Sequence, residues 1–303
     1  MKPISVSKIA DLKGHNGAVY TLEKSESETL IFSGSSDKFV TCWNLEKKEA
    51  ENFAAQFPHI VYSLKFIAEK KILLAGTSSG TLHIINLIQK KEIKVLQLHT
   101  QAIFNICYSS VNKLFYCASA DGSISMVSVE DFSILKIKKL CDEKVRSIAI
   151  NANETELAIA SGDGKIRIMQ ASTLEEIKAF DAHQLSANCV VYHPNGKNLL
   201  SGGRDAHLNS WDTSTYQLLK SIPAHNYAIY DIVFSPDNKY FATASRDKTI
   251  KIWNADDIGL LIRINKEKHD GHSNSVNKLL WCKYDNYLVS TGDDRIIMVW
   301  KIG

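Results

Sequence analysis

Four stretches of the chain carry a hydroxyl residue, histidine and aspartate, the residue types of a nucleophilic catalytic triad. In each stretch a histidine is followed, at the same spacing every time, by serine or threonine, then by aspartate and then by tryptophan. An enzyme needs one nucleophile, so four copies indicate internal bracing, and we expect no catalytic residue. The four sets are His15/Ser33/Asp37/Trp43, His183/Ser201/Asp205/Trp211, His225/Thr243/Asp247/Trp253 and His272/Ser290/Asp294/Trp300.

The stretch from His225 to Trp253 indicates which elements position such a set. Alternating β-branched and aromatic residues, bounded by Pro, Asp and Asn, favour short strands over helices. The predicted strands are Ala228–Phe234, Tyr240–Ser245 and Thr249–Trp253.

The terminal position of this stretch recurs along the whole chain. Its equivalents are evenly spaced, with only the last step slightly longer: Trp43, Ile85, Val127, Met169, Trp211, Trp253 and Trp300. A period of about 42 residues with histidine in front and tryptophan at the end is the spacing of WD40 propeller blades. On these residues the chain resembles the WD40-repeat β-propeller family over all 303 residues, in seven repeats.

The resemblance implies an all-β fold, a seven-bladed WD40 β-propeller in which each blade is a four-stranded antiparallel sheet. Seven repeats in phase leave no room for a second domain, so residues 1–303 are expected to form a single propeller domain. The chain stops after the third strand of repeat seven. We therefore expect the N-terminal strand, Ser5–Asp11, to close the last blade and protect its edge.

Two columns predict how the blades pack. Twelve residues before the terminal position stand only large apolar residues, and nine before it stand only small ones. The large column is Ile31, Leu73, Phe115, Leu157, Leu199, Phe241 and Leu288. The small column is Gly34, Gly76, Ala118, Ala160, Gly202, Ala244 and Thr291.

The resemblance also implies a role for the polar sets, that of a buried relay. The indole N–H donates to the hydroxyl, the hydroxyl to histidine and histidine to aspartate, so each buried polar group has a partner. Repeats 2, 3 and 4 lack the full set, and we expect apolar packing to replace it there. His99 in repeat 3 has no hydroxyl in the usual column, so it either bonds Asp121 alone or is exposed.

Composition narrows the function classes. Thirty-six basic and 33 acidic residues give a net charge of +3, which is no basis for a nucleic-acid or membrane partner. The six cysteines lack the close spacing of a zinc site and predict buried, reduced thiols. No apolar run is long enough for a signal peptide or a membrane span. We expect a cytoplasmic protein with no cofactor and no metal.

In WD40 relatives, partner contacts lie near the start of the innermost strand and just before the turn aspartate. Carried over column by column, this predicts contacts by Tyr20, Tyr62, Phe104, Arg146, Arg204, Tyr230 and Arg246. Aromatic and arginine side chains supply the rigid area and planar donors that binding hot spots need. The alternative is that the aromatics only fill channel-lining space between blades, but their composition favours binding.

Two finer points stay open at the level of sequence. Arg204 and Arg246 either clamp a carboxylate of the partner or lie solvated or paired with nearby aspartates. The extra residues of the last repeat fall within Asn265–Gly271, which is either a partner-contacting lip or a tolerated surface insertion.

Together these observations favour a non-enzymatic scaffold that assembles protein or peptide partners on the face around the central channel. We expect a monomeric propeller within a larger assembly. The alternative, a propeller enzyme or small-ligand binder at the channel mouth, needs converging carboxylates, metal ligands or a unique nucleophile. The two predicted contact columns hold one acid, Asp293, and no histidine. A weaker alternative is an RNA- or ribosome-associated adaptor, which would show a steep salt dependence of binding.

Overall fold

Short strands separated by tight turns account for most of the chain. The computed structural model describes residues 4–303, and within them 28 strands form seven four-stranded antiparallel sheets. In six sheets the strands follow in chain order, and the seventh combines the first strand with the last three. This is the architecture of a seven-bladed β-propeller, so the predicted fold class is confirmed.

The strands are named in chain order, with each blade numbered as its repeat. The first strand and blades 1 to 3 comprise β1 (Val6–Leu12), β2 (Val19–Lys24), β3 (Leu30–Ser35), β4 (Phe39–Asn44), β5 (Glu49–Gln56), β6 (Val61–Ile67), β7 (Ile72–Thr77), β8 (Thr81–Asn86), β9 (Lys91–Gln97), β10 (Ile103–Ser109), β11 (Leu114–Ser119), β12 (Ser123–Ser128) and β13 (Ile134–Lys139). Blades 4 and 5 comprise β14 (Val145–Ile150), β15 (Glu156–Ser161), β16 (Lys165–Gln170), β17 (Glu176–Asp181), β18 (Ala187–Tyr192), β19 (Asn198–Gly203), β20 (His207–Asp212) and β21 (Leu218–Pro223). Blades 6 and 7 comprise β22 (Ile229–Phe234), β23 (Tyr240–Ser245), β24 (Ile250–Asn254), β25 (Leu260–Ile264), β26 (Val276–Trp281), β27 (Tyr287–Gly292) and β28 (Ile297–Ile302).

The chain forms two compact units. The central unit spans Tyr62–Ile229 and holds blades 2 to 5. The terminal unit comprises Met1–Val61 with Tyr230–Gly303 and holds blades 1, 6 and 7. Within the central unit the inner strands β10, β14 and β18 pack side by side, and within the terminal unit β2 packs against β26.

The N-terminal strand completes the last blade, as expected. β1 pairs antiparallel with β28, from Val6 opposite Ile302 to Leu12 opposite Ile297. The Ser5 N–H extends the ladder by donating to the Gly303 carbonyl at 2.6 Å. This pairing covers an edge of β28 that would otherwise be open to other chains.

The apolar and small columns explain how neighbouring blades pack. All seven residues of the large column are 0% exposed, as their pattern predicts. The small column faces side chains of the next blade. A Cβ at Gly76 would lie 2.7 Å from Ile103 Cγ2, and one at Gly202 would lie 2.6 Å from Ile229 Cγ2. A larger residue there would push the blades apart, because the interior is already at native density.

The insertion of the last repeat contains a single helical turn, α1 (Lys266–His269). The Asn265 side chain accepts the Lys268 N–H at 3.2 Å, an N-terminal cap that stabilises the turn. Lys8 of β1 then donates to the Asp270 carbonyl at 2.9 Å and to Asp270 Oδ2 at 3.0 Å. The closing strand and the insertion therefore contact each other. Over residues 4–303, none of the helices has the length and apolar character to cross a bilayer.

Candidate partner-binding surface

The polar set of blade 7 forms a continuous hydrogen-bonded chain. Trp300 Nε1–H donates to Ser290 Oγ at 2.8 Å, and Ser290 Oγ lies 2.8 Å from His272 Nε2. His272 Nδ1 lies 2.9 Å from Asp294 Oδ2. A carboxylate only accepts, so Nδ1 carries the proton and Nε2 accepts the serine hydroxyl.

The same links occur in blades 1 and 5. In blade 1 the distances are Trp43–Ser33 2.7 Å, Ser33–His15 2.7 Å and His15–Asp37 2.8 Å. In blade 5 they are Trp211–Ser201 2.9 Å, Ser201–His183 2.9 Å and His183–Asp205 3.0 Å.

Blade 6 repeats the first link of the polar set. The Trp253 indole donates to Thr243 Oγ1 at 3.0 Å, as the set predicts. Asp247 is partly exposed, and its Oδ1 accepts the Thr249 N–H at 3.0 Å and the Thr249 hydroxyl at 2.6 Å. Asp247 lies in the tight turn between β23 and β24, where solvent reaches the carboxylate and the next strand supplies donors. Its contact with His225 stays a prediction.

The aspartates of the other complete sets share this intermediate exposure. Asp37, Asp205 and Asp294 are also partly exposed, so each polar set runs from a buried indole to a turn at the surface. The carboxylates fix the turn as well as the histidine. Asp37 Oδ1 accepts the Phe39 N–H at 3.0 Å, and Asp205 Oδ1 accepts the His207 N–H at 3.1 Å.

Burial of the hydroxyls decides what this chain of bonds can do. Ser33, Ser201, Thr243 and Ser290 are each 0% exposed, so a substrate in solvent does not reach them. The aspartate also fixes the backbone just after the histidine, because Asp294 Oδ2 accepts the Ser273 N–H at 3.0 Å. Burial acts to raise the pKa of Asp294, but the hydrogen bond and charge of His272 together with the backbone N–H groups of Ser273 and Ile296 outweigh it, so the net pKa lies below the ordinary value. The arrangement suits bracing of each blade rather than attack on a substrate.

The expectation that apolar packing replaces the polar set is wrong in blades 2 and 4, and His99 of blade 3 is neither exposed nor bonded to Asp121 alone. In blade 3, His99 is only 4% exposed, with Nδ1 2.9 Å from Ser123 Oγ and Nε2 3.0 Å from Ser125 Oγ. Ser125 stands directly across the ladder from Cys117, so the neighbouring strand supplies the missing hydroxyl. Burial lowers the pKa of His99, and the Asp121 carboxylate offsets this only in part.

Blade 4 replaces the histidine by an ion pair between a buried arginine and an aspartate at the surface. Arg167 is 7% exposed and donates to Asp163 Oδ2 at 2.5 Å and to Ser161 Oγ at 2.6 Å. Burial acts to raise the pKa of Asp163, but the hydrogen bonds from Arg167 and Ser161 bring it down to about 2. In blade 2 the equivalent position is His83, whose Nδ1 lies 2.6 Å from Glu92 Oε2.

The polar residues that replace the set in blades 2, 3 and 4 all stand in one column, two residues before the terminal position. It pairs across the ladder with the hydroxyl column, as Ser125 with Cys117, Arg167 with Ile159 and His83 with Ala75. The period-two alternation of a strand places it on the same face as the terminal residue. That alternation is the sequence signal that would have predicted these contacts.

The innermost strands carry a β-bulge at the column predicted to contact partners. The ladder register shifts between Val19 and Thr21, Ile103 and Asn105, Val145 and Ser147, Ala187 and Cys189, and Val276 and Lys278. The residues at these shifts are Tyr20, Phe104, Arg146, Asn188 and Asn277. A bulge leaves one residue unpaired and turns its side chain out of the regular alternation.

Three predicted contact residues lie together on blades 2, 3 and 4. The Tyr62 and Phe104 rings meet edge to face, with centroids 5.4 Å apart and an interplanar angle of 81°. The Arg146 guanidinium carbon lies 5.5 Å from the Phe104 ring centroid, within cation–π range. All three side chains are partly exposed. We call Tyr62, Phe104 and Arg146 the aromatic–arginine cluster.

The other predicted contact residues are dispersed over both units. Tyr20 and Tyr230 are partly exposed on β2 and β22 of the terminal unit. Arg204 and Arg246 are exposed in the turns after β19 and β23 and belong to different units. A clamp formed by these two arginines therefore stays a prediction.

Two asparagines of the same column bond the main chain of an adjacent inner strand. Asn188 Nδ2 donates to the Ile229 carbonyl at 3.0 Å, and Asn277 Nδ2 donates to the Val19 carbonyl at 3.2 Å. They hold inner strands together, which leaves the aromatic and arginine members of the column as the candidates for partner contacts. The residues that the structure describes include no group of three or more His, Cys, Asp or Glu side chains that could hold a metal ion.

Comparison with known families adds independent information. Residues 6–44, 174–212, 216–254 and 265–301, just over half of the chain, match the family model described as WD domain, G-beta repeat. These segments contain the four tryptophans of the complete polar sets. Residues 106–192 match the model described as Anaphase-promoting complex subunit 4 WD40 domain. Comparison with curated protein sequences gave no significant match.

Proposed function

The chain belongs to the WD40-repeat family, and we propose that it is a non-enzymatic scaffold that binds a protein or peptide partner. WD40 propellers are generally protein-interaction scaffolds. Their rigid frame of blades positions the residues that contact a partner. The observation that carries the proposal is the aromatic–arginine cluster on the inner strands of blades 2, 3 and 4.

The chemistry of the cluster fits a peptide with an acidic group beside an apolar one. The Tyr62 and Phe104 rings offer rigid apolar area at low entropic cost. The planar guanidinium of Arg146 presents several donors that match a carboxylate. Because the Arg146 guanidinium already lies against Phe104, little ordering is needed when a partner binds.

Two features support a non-enzymatic role. The hydroxyls of the repeated hydroxyl–histidine–aspartate sets are buried and occur in several blades, as bracing does. The thiols are also poor nucleophiles, because burial raises the pKa of Cys107 and of Cys117 to about 12. All six cysteines are free, which supports our proposal of a reducing, cytoplasmic location.

A matched pair of double variants tests the proposal. Phe104→Ala/Arg146→Ala removes two members of the cluster. Phe53→Ala/Arg263→Ala removes the same residue types from the outer strands β5 and β25. The proteins that the wild type captures are quantified by mass spectrometry. They are ranked by how much their captured amount falls with each double variant. The selected protein is then purified, and its Kd is measured for all three forms.

We expect the cluster variant to weaken binding by about 2 kcal/mol or more, which is about 30-fold in Kd. The outer-strand variant should bind like the wild type. Thermal melting of both variants checks that the fold is intact. If every purified partner binds the cluster variant as tightly as the wild type, the aromatic–arginine cluster is not the binding surface.

A further inference from the structure

Blade 5 contains a cavity beside its polar set. It has a volume of about 360 Å³ and is lined by Asn209, Trp211, His207 and Asp181 among others. Its volume lies at the lower end of the range for ligand-binding pockets in proteins. All of these residues belong to the central unit.

Asn209, which lines the cavity, carries a buried acceptor. Asn209 is 5% exposed, and its Nδ2 donates to the Ala182 carbonyl at 2.7 Å. Its Oδ1 has no hydrogen-bond partner within residues 4–303. His207 Nδ1 lies 3.0 Å from the Asp205 carbonyl. A carbonyl only accepts, so Nδ1 carries the proton and the neutral ring has an acceptor at Nε2. A buried acceptor without a partner is uncommon in folded proteins and points to a ligand that donates.

The rim adds negative charge and apolar surface. Asp181 has an exposed carboxylate with 87% of its side chain accessible, 3.5 Å from Lys165 Nζ. Leu218, which also lines the cavity, is 51% exposed. A donor that carries positive charge on an aliphatic stem would satisfy both features.

Two other blades carry a cationic residue at the position equivalent to Asn209. Asn209 stands two residues before the terminal position, and the residues in that column are Arg167 in blade 4 and Lys251 in blade 6. The Arg167 guanidinium bonds Asp163, the equivalent of Asp205. Lys251 Nζ lies 6.0 Å from the ring centroid of Trp253, the equivalent of Trp211. In blade 5 the short asparagine side chain places no cation in this space.

We propose that the blade 5 cavity binds the guanidinium or ammonium group of an arginine or lysine side chain from a partner protein. The incoming cation takes the position of Lys251 in blade 6, which keeps its histidine, because in blade 5 His183 already contacts Asp205 as Arg167 contacts Asp163 in blade 4. Its N–H groups donate to Asn209 Oδ1, its charge is stabilised by the carboxylates around the cavity, and its stem packs against Leu218. The inference rests on the proposed scaffold function only in that a partner supplies the side chain.

Short capped peptides provide the probe. Peptides of glycine with a single central arginine, lysine or citrulline are titrated into the whole protein. Binding is followed by calorimetry and by the NMR resonance of the Trp211 indole N–H. This resonance is assigned as the one that Trp211→Phe removes. Citrulline keeps the shape of arginine without its charge, and agmatine tests whether a free small cation is the preferred ligand.

Three variants accompany the titration. Asn209→Lys places an internal cation as in blade 6, Asp181→Asn removes the rim charge, and Asp142→Asn removes a fully exposed carboxylate elsewhere in the central unit as a control. We expect saturable binding of the arginine or lysine peptide, with the citrulline peptide at least about tenfold weaker. Asn209→Lys should abolish saturable binding with an unchanged melting temperature. Asp181→Asn should weaken binding several-fold, and Asp142→Asn should have no effect.

Equal binding of the citrulline peptide, unchanged binding by Asn209→Lys, or no saturation at about 10 mM peptide would each overturn the inference. Agmatine that binds more tightly than either peptide would also overturn it, in favour of a small-molecule site. Phe104→Ala/Arg146→Ala should leave peptide binding at blade 5 unchanged. Failure of this site and failure of the aromatic–arginine cluster are therefore distinguishable.

Discussion

The buried serine of blade 7 gives the sharpest test of the bracing role of the polar sets. Ser290 is 0% exposed and joins Trp300 Nε1 and His272 Nε2, each at 2.8 Å. Ser290→Ala leaves one buried donor and one buried acceptor without a partner. Each orphaned group costs about 1–3 kcal/mol, so the free energy of unfolding should fall by about 2–6 kcal/mol.

The measurement is a double-mutant cycle by urea denaturation with Ser290→Ala, Trp300→Phe and the combined variant. Trp300→Phe removes the indole donor, so the combined variant loses both partners of one bond. We expect the combined loss to be smaller than the sum of the single losses by about 1 kcal/mol or more. Ser210→Ala is the matched control, because Ser210 is 2% exposed and accepts only a long 3.5 Å bond from Asn198 Nδ2. Its cost should stay below about 1 kcal/mol.

Two results would refute this reasoning. One is a loss for Ser290→Ala no larger than that for Ser210→Ala. The other is strict additivity of Ser290→Ala and Trp300→Phe, since residues joined by a buried hydrogen bond are coupled. Either result would mean that apolar packing alone stabilises blade 7.

Two further predictions concern the closing strand and the ion pair of blade 4. Deletion of residues 1–11 exposes the edge of β28, so the melting temperature should fall by at least about 10 °C. An unchanged thermal melting curve would contradict closure of the last blade by β1. Asp163 has a folded-state pKa of about 2, which is below its ordinary value. The unfolded state therefore binds more protons between about pH 4 and about pH 2, and the free energy of unfolding decreases as the pH falls through this interval. Arg167→Met removes the main cause of the low pKa, so the free energy of unfolding of this variant should depend less on pH in this interval. If the free energy of unfolding changes equally with pH in the variant and the wild type, the assignment is wrong.

The regularity of the sequence predicted most of the fold. A period of about 42 residues requires each blade to use the same strand lengths and turns, so one strand assignment applies to all repeats. The large and small columns followed from the same register, because equivalent residues meet equivalent neighbours. The strands predicted around Trp253 differ from β22, β23 and β24 by at most a residue at each end. The insertion was placed from its length, but its helical turn depends on the Asn265 cap and on Lys8, which lies far away in sequence.

The sequence by itself therefore determined the propeller, the closing strand and the residues available for the polar sets, because all of these repeat in register. Only the tertiary structure decided which of these side chains meet. His99 found its hydroxyl on Ser125 because strand pairing places that residue opposite Cys117. The contact of Phe104 with Arg146 joins side chains one repeat apart, on two adjacent inner strands. The Asn209 cavity depends on side-chain length in three dimensions, since a short residue stands where blade 6 has the longer Lys251 over Trp253.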